Sequence, residues 1–218
     1  MDEATGGRVG EAAGRLAERG SVSDRIRFLR ARRLYLPRYW WMAMRYLWRF
    51  RVRGRHIRTR GPVFLSRTAD VTCRRGLGHM ELGRWVWIGH HDAIRCHEGS
   101  VRIGDRVVFG SGVTVDAYLD VEIGEDCLLA DSVLVTDFDH RYDDPATPIR
   151  KQGIVKSRVR IGADCWIGAK ATVLRGSTIG RGSVIGALSV VKGDIPPYSV
   201  AVGNPARVVR KRGARPEG

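Results

Sequence analysis

From Ile161 onward the apolar positions keep a beat of six: Ile161, Ile167, Val173, Ile179, Ile185 and Val191, with glycine following most of them. Upstream the same beat runs through Ile103, Phe109 and Val115, skips two residues, and resumes at Ile123, Leu129 and Val135. Leu82, Ile88 and Ile94 extend it toward the N-terminus, and Leu65, Val71 and Leu77 fit as well. Two places before each main anchor stands a small or β-branched residue: Val101, Val107, Val113, Val121, Cys127, Val133, Val159, Cys165, Ala171, Ser177, Ser183 and Ser189. A period of six is neither that of an amphipathic helix nor that of a simple hairpin array. It describes short strands joined by tight corners, with the anchor and the residue two places earlier both turned inward. Glycine after the anchor is expected to supply a permissive backbone at the corner. Three sides close a coil of about 18 residues, and stacked coils form a parallel β-helix. Each buried aliphatic contributes about 1.5–3 kcal/mol. One coil cannot bury its own face, so stability comes from stacking.

Between Val135 and Val159 the beat stops, then returns in register. Residues 137–158 therefore form a loop thrown out of one coil. Irregular segments of this length in a compact domain usually carry function. The flanks of a β-helix are smooth, and a projecting loop gives one of them a wall. This loop gathers Asp137, Asp139, Asp143 and Asp144 around His140.

Four stretches in order, VTDFDHRYDDPATPIRKQGI, DCWIGAKATVLRG, IGRGSVIGALSVV and IPPYSVAVGNPARVVRKR, resemble the hexapeptide-repeat acyltransferases. The galactoside, maltose and xenobiotic acetyltransferases are the characterised members most similar to this chain. The resemblance implies a left-handed β-helix, a hand that crossover sterics alone would not favour. It also implies a homotrimer and direct attack of an acceptor on acetyl-CoA or another short acyl-CoA, with no covalent acyl-enzyme and no metal. His140 matches the loop histidine that acts as general base, a task suited to imidazole. Many members write Thr-Asp-His-Asp-His here, and this chain has Phe138 in place of the first His. Trp166 matches the residue beside the pantetheine arm. The Ala169 N–H matches the donor to the thioester carbonyl, and Ala187 matches a second backbone contact. Arg207 and Arg210 match residues on the nucleotide phosphate, with Lys192 and Lys211 close by. Phe138, Asp116 and Tyr118 are candidates for acceptor recognition, as are the flanking Asp137 and Asp139, and His97 is a weaker one. The acceptor the resemblance suggests is a sugar or polysaccharide hydroxyl.

The rest of the chain adds a different kind of sequence. Residues 1–20 read as a disordered tail and 21–56 as a basic, aromatic helical arm. The β-helix then spans 57–203, with Pro196-Pro197 as its stop. Residues 204–218 form a tail that covers the last coil or reaches a neighbour. The net charge of +15 is concentrated in the arm, where eleven Arg and no acid lie between Arg25 and His56. Arg38 to Phe50 reads RYWWMAMRYLWRF, too short to span a bilayer and too apolar to stay in water. It either caps the β-helix or lies at a membrane surface. Outward Trp85 and Trp87 suggest a covered flank or a sugar platform. Four scattered cysteines fit a reducing compartment, and the start of the chain has no signal-peptide core. The location implied is cytoplasmic, with the membrane surface open as an alternative. A zinc site of three histidines from neighbouring subunits lacks its spaced pair among His90, His91, His97 and His140. Nucleic acid is not an expected partner. A non-enzymatic β-helix scaffold that binds anionic polymers or membrane through the arm is the alternative function. It leaves His140 and Trp166 without a role.

Overall fold

The computed structural model describes Trp41, Met44 and residues 57–213. The expected N-terminal tail and arm lie outside the described residues, apart from Trp41 and Met44, which are exposed and helical. Residues 57–203 wind as a three-sided parallel β-helix. The first face has seven strands, from Ile57–Thr59 to Asp194–Ile195. The third has six, from Asp70–Cys73 to Val190–Val191. The second runs from Val63–Leu65 to Ser199–Gly203, and an eighth strand, Ala206–Lys211, pairs antiparallel with its end. Each strand of a face otherwise pairs in parallel with its counterpart one coil later. Corners one, two and three follow the first, second and third faces.

The inward positions are those of the six-residue beat. Every small-residue slot from Val101 to Ser189 is at most 2% exposed, and the anchors from Leu82 to Val191 are equally buried. Cys127 and Cys165 occupy two such slots in neighbouring coils, and Cys73 pairs in register with Cys96. Burial pushes the Cys96 thiol up to about 12, which suits core packing rather than chemistry.

Leu77 departs from the beat and is 51% exposed. The early coils are longer: Ile57 stands in register with Met80, whereas Ile161 stands with Ile179. The extra residues make a turn in which Leu77 and Gly78 both donate to the Arg74 carbonyl, and Met80 becomes the inward residue. The glycines also serve another purpose than expected. A Cβ on Gly124 would stand 2.5 Å from the Ala163 nitrogen, and one on Gly168 2.6 Å from the Ala187 nitrogen. These glycines let stacked corners approach, and neither has a positive φ. The left-handed residue comes two places later and carries a side chain, as at Arg106 (φ 60°), Asp126 (59°) and Lys170 (59°). Each such residue costs about 1–2 kcal/mol, held in place by the ladder on both sides. Pro196 and Pro197 do not end the helix. They form corner one of the last coil, and Ser199–Gly203 follows them. The segment after Gly203 then turns back and covers the exposed edge of the second face, which would otherwise be open to pairing.

The outer faces differ in chemistry. On the first, Glu81, Arg102, Glu122 and Arg160 stand in register. Arg60–Glu81 (2.9 Å), Arg102–Glu122 (3.0 Å) and Arg160–Glu122 (3.4 Å) pair along it. The second carries an apolar row, Phe64, Trp87, Val108, Leu128, Trp166, Val184 and Val200, one from each coil.

Candidate active site

The loop leaves from corner three between Leu134–Thr136 on the third face and Val159–Ile161 on the first. It is not irregular at its base. Phe138–His140 and Ile154–Lys156 pair antiparallel as a short ribbon, with His140 opposite Ile154. Arg141 N–H donates to the Gly153 carbonyl and extends the ladder. Beyond it, Gln152 clamps the tip: its Nε2 donates to the Asp144 and Thr147 carbonyls at 2.8 and 2.7 Å, and its Oε1 accepts from the Asp144 N–H.

Alternation along the ribbon puts Phe138 and His140 on one side and Asp139 on the other. Asp139 pairs with Arg175 of the next coil at 2.6 Å. Lys156, in register with Phe138, pairs with Glu98 at 2.5 Å. The Lys156 ammonium holds the Glu98 carboxyl below the usual carboxylate range. These two ion pairs tie the ribbon to the coils after and before it. Sequence reading missed Lys156, Glu98, Arg175 and Gln152, because their roles depend on the ribbon register.

The acceptor candidates do converge. His97 stacks on Tyr118 with ring centroids 4.5 Å apart, Phe138 meets Tyr118 edge-on at 4.6 Å, and His140 lies 6.4 Å from Phe138. Lys156 Nζ lies 5.5 Å from the Tyr118 ring. Asp116 flanks this row: its Oδ1 lies 3.5 Å from His97 Nε2 and 3.9 Å from an Arg95 nitrogen. That oxygen is buried and receives no hydrogen bond among the described residues. The His140 ring is exposed, and no hydrogen bond to it occurs among the described residues. Asp137 and Asp139, which flank it in the sequence, are both engaged with other groups.

Asp137 corrects an expectation most directly. It is fully buried, and its carboxylate accepts the N–H groups of Tyr118, Leu119 and Asp120 at 2.7–2.8 Å. It therefore fixes the corner beneath the ribbon and has no oxygen turned to an acceptor molecule. Asp120 continues this support. Burial raises its carboxyl, but the Ser100 hydroxyl and the Arg160 and Arg102 guanidiniums outweigh that and hold it below its ordinary value. Replacing Asp137 by Ala leaves three backbone donors unmet, at about 1–3 kcal/mol for each one that stays buried. A loss of about 2–4 kcal/mol is expected, lowering the thermal midpoint by roughly 5–15 °C in a chain of this size. A calorimetric midpoint within about 1 °C of the parent would remove Asp137 from this role.

The remaining candidates lie elsewhere on the prism. Trp166 is 51% exposed on the second face, in register with Leu128 and Val184. Ala169 and Ala187 are stacked on corner two. The Ala169 carbonyl accepts from Leu188, but neither alanine N–H donates to any backbone carbonyl among the described residues. Both donors are thus unpaired on the same corner among the described residues. Val200, at the end of the apolar row, faces Arg210, and Val202 faces Arg207. Lys192 is on corner three, one full face away from Trp166. Lys211 Nζ donates to the Pro197 carbonyl at 3.3 Å. The candidates thus fall into two groups: an imidazole on a braced ribbon at corner three, and an apolar strip with two N–H groups at corner two that are unpaired among the described residues. A face of about six residues separates them, roughly 20 Å at 3.3 Å per residue.

Comparison with known proteins agrees with this architecture. The bacterial transferase hexapeptide (six repeats) family model matches residues 158–193, and the model for the hexapeptide repeat of succinyl-transferase matches residues 100–136. The probable acetyltransferase Rv3034c of Mycobacterium tuberculosis is 51% identical over 189 residues. That alignment covers 86% of this chain and 62% of the mycobacterial protein, so the chain spans less than two thirds of that relative. The putative lipopolysaccharide biosynthesis O-acetyl transferase WbbJ of Escherichia coli K12 is 33% identical over 144 residues, 53% of this chain and 74% of that relative. Among solved structures, the N-acyltransferase AntD of Bacillus cereus, in complex with dTDP and 3-hydroxybutyryl-CoA, superposes with a TM-score of 0.62. At 19% identity, over 74% of this chain and 87% of AntD, it shows a shared fold. From the repeat, the loop and the alignment with WbbJ, the chain belongs to the hexapeptide-repeat acetyltransferases.

Proposed function

We propose that the chain is an acyl-CoA-dependent O-acyltransferase that moves an acetyl group onto a hydroxyl of a sugar or polysaccharide. In this reading His140 removes the hydroxyl proton as the oxygen attacks the thioester carbonyl. The new C–O bond replaces the C–S bond, and the thiol of coenzyme A leaves. The free Ala169 N–H meets the carbonyl oxygen as negative charge builds on it. Trp166 and the apolar row of the second face would carry the pantetheine arm, and Arg207 and Arg210 the phosphates. The bond is made in one complex with no acyl-enzyme, so both half-sites must meet.

The observation that carries this reading is the pair of half-sites on different corners. Neither completes a transferase alone, and a second copy can bring its corner two to the ribbon of the first. A cyclic trimer closes three such sites. A hydroxylated acceptor is supported by the row of rings His97, Tyr118, Phe138 and His140 on corner three, since a sugar can pack on the rings and present a hydroxyl to the imidazole. The O-acetyl transferase name of the Escherichia coli relative points the same way.

The test is to incubate the full chain with acetyl-CoA and soluble oligosaccharides and follow thiol release. Release that requires the oligosaccharide, with an alkali-labile acetyl ester on it, is the expected result. Release indifferent to acceptor, or transfer only to amines, overturns the hydroxyl assignment.

A further inference from the structure

From the second coil to the fifth, most basic groups on the faces and corners have an acid partner. Arg84 pairs with Asp105 (2.7 Å), Arg106 with Asp126 (2.6 Å), Arg102 with Glu122 (3.0 Å) and Arg175 with Asp139 (2.6 Å). The first coil breaks this rule. Arg58, Arg67, Arg74 and Arg75 are all exposed, and none makes an ion pair among the described residues. The nearby Glu98 is already held by Lys156. The sole acid in residues 57–77, Asp70, pairs with Arg95 at 3.0 Å.

The arrangement is a ring and not a stripe. Arg58 stands on the first face, Arg67 at corner two, and Arg74 and Arg75 at corner three. Corner one has Arg60, shared with Glu81. Charges distributed around the end of a prism lie near one plane across its axis. A flat anionic surface can meet all of them together, whereas a polymer lying along one face meets only one or two. The turn at corner three adds an apolar group, since Leu77 is half-exposed beside Arg74 and Arg75. Arginine around an outward leucine suits a headgroup layer, where the cation meets phosphate and the aliphatic group meets the acyl boundary. The chain also enters the helix at this end, through Ile57, directly after the arginine- and aromatic-rich segment.

We propose that the N-terminal rim of the β-helix, Arg58, Arg67, Arg74, Arg75 and Leu77, is a docking surface for an anionic phospholipid bilayer. It is separate from both half-sites and does not depend on the acyl-transfer reading. In a cyclic trimer the three rims face the same way, which multiplies the attachment.

The test is flotation of the full chain with vesicles of phosphatidylcholine alone or with about 30% phosphatidylglycerol. Salt is set at about 50 mM and about 500 mM. Flotation with the anionic vesicles at low salt, little with the neutral ones, and release at high salt are expected. Substituting all four arginines with serine (R58S, R67S, R74S, R75S) should lower the partition coefficient at least ~100-fold. The rate of thiol release with a soluble acceptor should stay unchanged. The smaller charge reversal R74E with R75E is a second variant and should also weaken flotation. Parent-like flotation of both variants would assign any membrane binding to residues 25–56 and overturn the rim. A parent that binds a soluble sulfated polysaccharide but neither vesicle would overturn the bilayer as its partner.

Discussion

Replacing His140 by Ala is expected to lower turnover at least ~100-fold, the usual scale of a lost general base, while the affinity for coenzyme A stays within about twofold. The two halves of this result come from different parts of the prism. His140 ends a ribbon strand at corner three, whereas Trp166, Ala169 and Ala187 lie on the second face and corner two. Removing the imidazole therefore leaves the strip proposed for the acyl donor intact. Its immediate surroundings also survive the change. The ring is exposed and bonded to no other described group, and the ribbon is fixed by Asp139–Arg175 and Lys156–Glu98. A drop in the thermal midpoint is not expected, so a loss of rate reads as chemistry. Single-turnover acetyl transfer with a soluble acceptor, alongside coenzyme A binding by calorimetry, measures both quantities. Parent-like turnover would remove His140 from the reaction. Loss of coenzyme A binding would move its role to the donor side.

The structure also explains why Phe138 can stand where many relatives have a second histidine. On the ribbon, Phe138 shares a side with His140 and reaches Tyr118, which in turn stacks on His97. An apolar ring there continues a packed row from one corner residue to the next. It packs on the His140 side of the ribbon and brings no second titrating group there. His97 supplies an imidazole at the far end of the row, next to Asp116.

What could be read from the sequence was whatever the chain repeats. Inward residues recur every six positions because each side of the coil has the same length, so one rule places Ile123, Ile161 and Ile179 together in the core. The loop was legible as a break in that rule, and His140 as the residue type suited to the break. What was not legible depends on register between coils. Asp137 looked like one of a crowd of loop acids, yet its fate is set by three backbone N–H groups of the preceding coil. Glycine after an anchor looked like a turn signal. Its actual constraint is the next coil's backbone, 2.5 Å from where a Cβ on Gly124 would be. Leu77 matched the beat, but the longer first coil put it outside. A periodic pattern fixes which residues point in. It does not fix what the outward residues meet one coil away.

Two inactive variants of this chain should regain activity when they assemble together. The first is His140→Ala, defective at corner three. The second is Ala169→Pro, which removes one N–H at corner two. Ala169 lies directly after Gly168 in a tight turn, a position where proline's φ is at home, and its N–H donates to no backbone carbonyl among the described residues. Losing such a donor costs about 100- to 1,000-fold in turnover, with little effect on folding. If each site takes its ribbon from one chain and its corner two from the next, a mixed trimer contains sites with both parts intact. For random assembly of equal amounts, a given site draws a good ribbon half the time and a good corner half the time. About one quarter of parent activity is expected in cyclic trimers, against about 1% or less for either variant alone. The variants must be unfolded and refolded together, since trimers formed separately carry no mixed sites. Activity after joint refolding no higher than after simple mixing would mean that both half-sites act within one chain. The two-corner reading of the site, and the trimer built on it, would then fail together.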